Sequence, residues 1–242
     1  MAADVRQRKS VLDREELANI WRSILRADPT ALFESESARL EARAGLGDEI
    51  AQPGLVGPRY ASGGVLFLGK NPGKGGSDIS ESDRIQYDLL RALRDAPDSE
   101  LLERFDSLNE ILATRVMPSW SLVQKYIQPV FAAAGWSMLN VAYLNLLKWR
   151  SEAVNTTLLR ASWSAHTRLQ YRALRPSFVV VLGKTTFDPF VGFLNKFGDE
   201  RPTYCAWIKR RRRDTQDPDE TALAQIRKIS RDLVKHFNGS AA

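Results

Sequence analysis

The chain has 242 residues, enough for one large domain, and its 43% hydrophobic and 26% charged content is the balance of a globular protein. Its 35 Lys+Arg against 29 Asp+Glu leave a net charge of +6, which permits an anionic partner without demanding one. The single cysteine, Cys205, excludes an internal disulfide framework and any cysteine-ligated iron–sulfur or Cys-rich zinc site within one chain.

The opening MAADVRQRKSVLDREEL lacks an apolar signal core, and no later run approaches the ~20 apolar residues of a membrane span. The expectation is a cytoplasmic monomer with no membrane partner. Ser10 is placed to cap a helix running to about residue 27, with Leu17, Ile20, Trp21, Ile24 and Leu25 at helical spacing. A second helix is predicted from Pro29, and the Gly- and Pro-rich segment 45–64 reads as a loop. Residues 1–60 are thus expected to be N-terminal helices and a loop, packed on a core domain spanning 61–242.

Four strand-like runs follow, at 65–68, 139–144, 178–182 and 203–208. Helices are predicted over 80–94, 99–114 and 121–134, and then in TLLRASWSAHTRLQYRAL, where Leu159, Trp163, His166 and Ala173 share a face. A last helix has Asp217 as its expected cap, Pro218 in first position and Glu220 in the first turn. Strands alternating with helices predict an α/β fold, a three-layer α/β/α sandwich around a central four-stranded parallel sheet.

In such a sheet ligands bind beyond the carboxyl ends of the strands. The four exits read GKNPGKGG, NLLKWRSE, GKTTFD and KRRRRD, and each carries Lys or Arg. Gathered along one rim, these charges suit nucleic acid; spread over exposed loops, they are ordinary solvated residues. The first exit is not a phosphate-binding P-loop, because position 68 is Leu where that motif needs Gly, and Lys74 is followed by Gly75 rather than Ser or Thr.

VLFLGKNPG resembles the first motif of the uracil-DNA glycosylase superfamily, in the branch whose loop reads G-x-N-P-G. VAYLNLLKWR is similar to its second segment, and RPSFVVVLGKTTFDPFVG to its third, in the same order. The resemblance spans residues 65–235. It departs at the fourth exit, where the superfamily has His-Pro-Ser or Asn-Pro-Ser and this chain has TYCAWIKRRRRDTQDPDE. The histidine that supports the leaving group is therefore absent.

The resemblance implies that uracil is flipped out of DNA and its N-glycosidic bond hydrolysed, leaving an abasic site, with no metal or cofactor. Asn71 then sits at the water-positioning place, where a neutral amide can orient water but is a poor proton acceptor. Asp78 and Asp83 could supply a base, although a helix-capping role is favoured for both. Gly69, Lys70 and Gly73 belong to the loop against the base, and Lys74 to a flanking phosphate. Tyr87 could stack on the flipped ring, or pack in the core as an aromatic of an amphipathic helix. Asn145 presents the donor and acceptor that match uracil O4 and N3–H. Lys148, Arg150, Lys209, Arg210, Arg211, Arg212 and Arg213 are the expected DNA contacts. The alternative to a uracil-excising enzyme is a weak or inactive relative that binds nucleic acid through the basic rim. A third reading is an unrelated α/β enzyme holding a nucleotide at GKNPGKGG.

Overall fold

The computed structural model describes residues 12–32, 50–73, 81–151, 154–210 and 217–238. Helix α1, Arg14–Leu25, starts where the Asp13 carboxylate accepts the Glu16 amide at 2.9 Å, while Ser10, the expected cap, lies outside the described residues. The helix buries Leu17, Ala18, Trp21 and Ile24 in the same core as the sheet. Trp21 meets Phe105 edge-on at 5.7 Å. Pro29 opens only a short 3-10 turn, Pro29–Leu32.

Among the described residues five strands form one mixed sheet. They are β1 Leu55–Val56, β2 Val65–Gly69, β3 Val141–Asn145, β4 Phe178–Leu182 and β5 Tyr204–Ile208, in the order β1-β3-β2-β4-β5. The four later strands run parallel, whereas β1 pairs antiparallel with β3, Leu55 opposite Tyr143. The expected purely parallel four-stranded sheet is corrected by this edge strand. Its two residues were hidden in a Gly- and Pro-rich segment too short to show alternation. Gly54 lets that segment lie against β3, since a Cβ there would fall 2.2 Å from the Tyr143 carbonyl. Every residue of β2, β3 and β4 is buried. Because successive side chains point to opposite faces, both faces of the central sheet are covered.

Between β2 and β3 lie α2, Glu81–Arg94, and α3, Leu101–Ile111, then π-helical turns at Leu112–Val116 and Val123–Ile127 and a short α4, Gln128–Phe131. The helix expected over 121–134 is not continuous. Pro129 has no N–H to give the preceding turn, and the backbone widens to a π turn just before it. Between β3 and β4 a second π turn, Trp163–Thr167, joins α5, Thr156–Ser162, to α6, Arg168–Leu174. Helix α7, Lys184–Phe197, leads to β5, and α8, Glu220–Asn238, closes the described fold. Asp219, rather than the expected Asp217, accepts from the Ala222 amide at 2.9 Å, and Asp217 pairs instead with Lys125.

Candidate functional site

Strand order reverses at β2, since the chain runs first to β3 on one side and then to β4 on the other. Beyond the carboxyl ends of β2 and β3 opens a cavity of about 290 Å³, near the lower end of the range that small-molecule pockets occupy. Asn71, Pro72 and Gly73 line it from the β2 exit, and Tyr143, Asn145 and Arg150 from β3 and its exit. The first turns of α2 add Ser82, Asp83 and Gln86; the turn ahead of Val123 adds Trp120, Ser121 and Leu122; Gln52 and Arg210 complete the wall.

The two strand exits are laced together by backbone bonds. Leu146, Leu147 and Ser151 donate to the carbonyls of Gly69, Lys70 and Gly73 at 2.9, 2.9 and 3.0 Å. Asn71 is held on this frame, with Nδ2 donating to the carbonyls of Gly73 (2.7 Å) and Ser151 (3.1 Å). Carbonyl oxygens only accept, so these two bonds fix the orientation of the amide. Among the described residues no donor reaches Asn71 Oδ1, which leaves an acceptor on a residue that lines the cavity.

Asn145 is the last residue of β3, opposite Gly69 of β2. Its Oδ1 lies 3.2 Å from the Tyr143 hydroxyl. A Cβ on Gly69 would fall 2.3 Å from that oxygen and 2.8 Å from the hydroxyl, so the absence of a side chain at 69 is what makes room for the pair. The Asn145 carbonyl accepts from Lys148 Nζ at 2.8 Å and from Thr167 Oγ1 at 3.3 Å. Gln86 Nε2 reaches Gln52 Oε1 at 3.5 Å, and Gln52 Nε2 donates to the Tyr87 hydroxyl at 3.3 Å. Four neutral amides thus line a cavity whose wall also carries two arginines and one carboxylate. Donors and acceptors of this kind suit the edge of a polar, uncharged ring.

Several expected contacts lie elsewhere. Lys148 is fully buried, and burial holds its amine well below the ordinary lysine range. It is not placed to meet a phosphate, because its stem and amine are sealed under the β3 exit. His166, on the helical stripe beneath, is pushed down to about 4 by burial, with Lys148 acting in the same direction. Tyr87 is buried and off the cavity wall, its ring 5.7 Å from the Arg150 guanidinium, so it is a core residue rather than a stacking surface. Arg150 is paired with Asp83, both largely buried, which makes it a wall residue rather than an open phosphate contact. Asp83, for which capping was favoured, is a cavity residue.

Gly69 and Lys70 serve the frame through their carbonyls and are not on the wall. Of the basic run, Lys209 turns toward α8, pairing with Asp219 at 2.8 Å, whereas Arg210 lines the cavity. Lys74, Asp78, Arg211, Arg212 and Arg213 lie outside the described residues. Sequence reasoning missed Gln52, Gln86, Trp120 and Tyr143. For Tyr143 a signal existed: it stands two residues before Asn145 on one strand and so shares its face. Trp120, in the short polar stretch PSWS, gave a weaker one. Its ring meets Tyr143 edge-on at 6.4 Å.

Among the described residues no group of three or more His, Cys, Asp or Glu could hold a metal ion, and no helix is long and apolar enough to cross a membrane. No family model matches the chain, and no curated protein matches it in sequence.

Proposed function

We propose that this protein is a DNA glycosylase that takes uracil into the cavity at the β2 and β3 exits and hydrolyses its N-glycosidic bond, as the resemblance of its strand-exit segments to the uracil-DNA glycosylase superfamily implies. The observation that carries the reading is the pair of amides at neighbouring strand ends. Asn71 offers a fixed acceptor and Asn145 the amide that reads the base. An acceptor fixed in advance can orient a water without reorganising during the reaction.

In this reading the C1′–N1 bond breaks with its electron pair leaving on uracil, while charge builds on the sugar. The water held by Asn71 Oδ1 supplies its oxygen to C1′ and releases its proton to solvent. Arg210 takes over from the absent histidine as the donor to the departing anion; a guanidinium can donate but not accept a proton. Trp120 supplies the aromatic surface for the flipped ring.

The test is incubation of the purified protein with single- and double-stranded oligonucleotides carrying one uracil, followed by alkali. Cleavage at the uracil position is expected; an intact strand at enzyme excess would remove the reading. One observation favours the runner-up, a nucleic-acid-binding relative with little turnover. Asp83 is the only described carboxylate on the wall, and Arg150 already engages it. Tight, salt-sensitive binding of the same oligonucleotides without cleavage would select that alternative.

A further inference from the structure

We infer that Tyr143 is the specificity-determining residue of this pocket: its hydroxyl decides which end of the Asn145 amide faces a bound ring, and so selects rings bearing a carbonyl over rings bearing an amino group. The inference rests on the base-reading role proposed for Asn145.

Tyr143 and Asn145 are nearly sealed, at 5% and 4% exposure, and stand side by side on one face of β3. The hydroxyl lies 3.2 Å from Oδ1, and both atoms occupy the space over Gly69 that a side chain would fill. The phenol is itself steadied by the edge-on contact with Trp120. With Oδ1 engaged by the hydroxyl proton, Nδ2 is the end left over. Among the described residues no acceptor meets it, and Asn145 lines the cavity. The amide therefore presents a donor.

Deamination of a nucleobase replaces a ring amino group with a carbonyl, and so turns a donor into an acceptor. Uracil O4 can accept from Nδ2. The cytosine amino group would set N–H against N–H and leave both unpaired in a dry site. Sites built around such a bond reject the mismatched ligand strongly, by as much as ~10⁴-fold. An Asn free to turn would lose that power, because its two ends are nearly the same size and shape. Holding the amide still is what Tyr143 contributes.

The test uses Tyr143→Phe, which keeps the ring and removes only the hydroxyl. Binding is measured to two otherwise identical oligonucleotides carrying 2′-fluoro-deoxyuridine or 2′-fluoro-deoxycytidine, whose glycosidic bonds resist cleavage. The wild type is expected to favour the uracil probe by at least about tenfold, a conservative fraction of what such a site can achieve. In the variant that preference should fall below about threefold, chiefly because the cytosine probe binds better. A variant that keeps the wild-type preference overturns the role of Tyr143 while leaving the base-reading Asn145 intact. A wild type with no preference overturns the Asn145 assignment and this inference with it. Tyr143→Met, a second hydroxyl-free substitution, covers a folding failure of the first and should show the same loss.

Discussion

Gly69→Ala is the most informative single perturbation, because the structure states what the added methyl meets. Its Cβ would stand 2.3 Å from Asn145 Oδ1, so that oxygen must retreat by about 0.7 Å to reach even 3.0 Å, a separation already tighter than real contacts usually show. The retreat also breaks the 3.2 Å contact with Tyr143. Overpacking of this kind costs about 1–3 kcal/mol, and the lost hydrogen bond about 1 kcal/mol more. A misplacement approaching 1 Å at a positioned group costs on the order of 10²-fold in rate. The variant is therefore expected to fold, to melt at lower temperature and to lose about two decades in the single-turnover rate of uracil release. Repeating Gly69→Ala in an Asn145→Ala background separates this contact from any general strain. With Oδ1 gone, the stability penalty should shrink by at least about 0.5 kcal/mol, the range expected for residues in contact. Strictly additive penalties from denaturant melts of the four proteins would refute the reasoning.

Other perturbations follow from the same geometry. Trp120→Ala should weaken binding of a uracil oligonucleotide by roughly 1–3 kcal/mol if the ring stacks a base, measured by fluorescence titration, and leave it unchanged if the ring only shields Tyr143. Arg210→Ala should slow uracil release at saturating enzyme, whereas Lys209→Ala, removing an exposed pair with Asp219, should leave that rate within about twofold of wild type. Stability should fall as pH drops from 6.5 toward 4. The folded state holds His166 neutral down to about 4 while the unfolded chain binds its proton near 6.5, so the unfolded state takes up more protons over that window. The loss from this residue is about 3 kcal/mol at full extent, and pH-dependent melts of His166→Phe should lack it.

Much of the fold was legible because burial on both faces writes a continuous apolar run, as in VLFL and FVVV. The boundaries were less so. β3 begins at Val141 rather than 139, because Ser137 caps a 3-10 turn, Met138–Asn140, and the Asn140 side chain reaches back to it. β1 was invisible, since two residues between glycines show no period. Asn71 and Asn145 could be singled out from their place at strand exits, but the orientation of Asn71 could not. It depends on the Ser151 carbonyl, 80 residues away in sequence. Charge was the most misleading signal. Lys148 and Arg150 read as surface cations, yet one is sealed in the core and the other faces a carboxylate 67 residues earlier. The environment of a charged side chain is set by tertiary neighbours, which local pattern does not encode.

The central claim is that two amides at adjacent strand ends form a base-excising site. It is tested most directly by the single-turnover rate of uracil release from an oligonucleotide at saturating enzyme, for the wild type, Asn71→Ala and Asn145→Ala. The account predicts that the wild type converts uracil to an alkali-labile site and that each variant, still folded, is slower by at least about 10²-fold, the loss typical of removing a preorganised polar group from a transition state. An inactive wild type, or folded variants that release uracil at the wild-type rate, would contradict it.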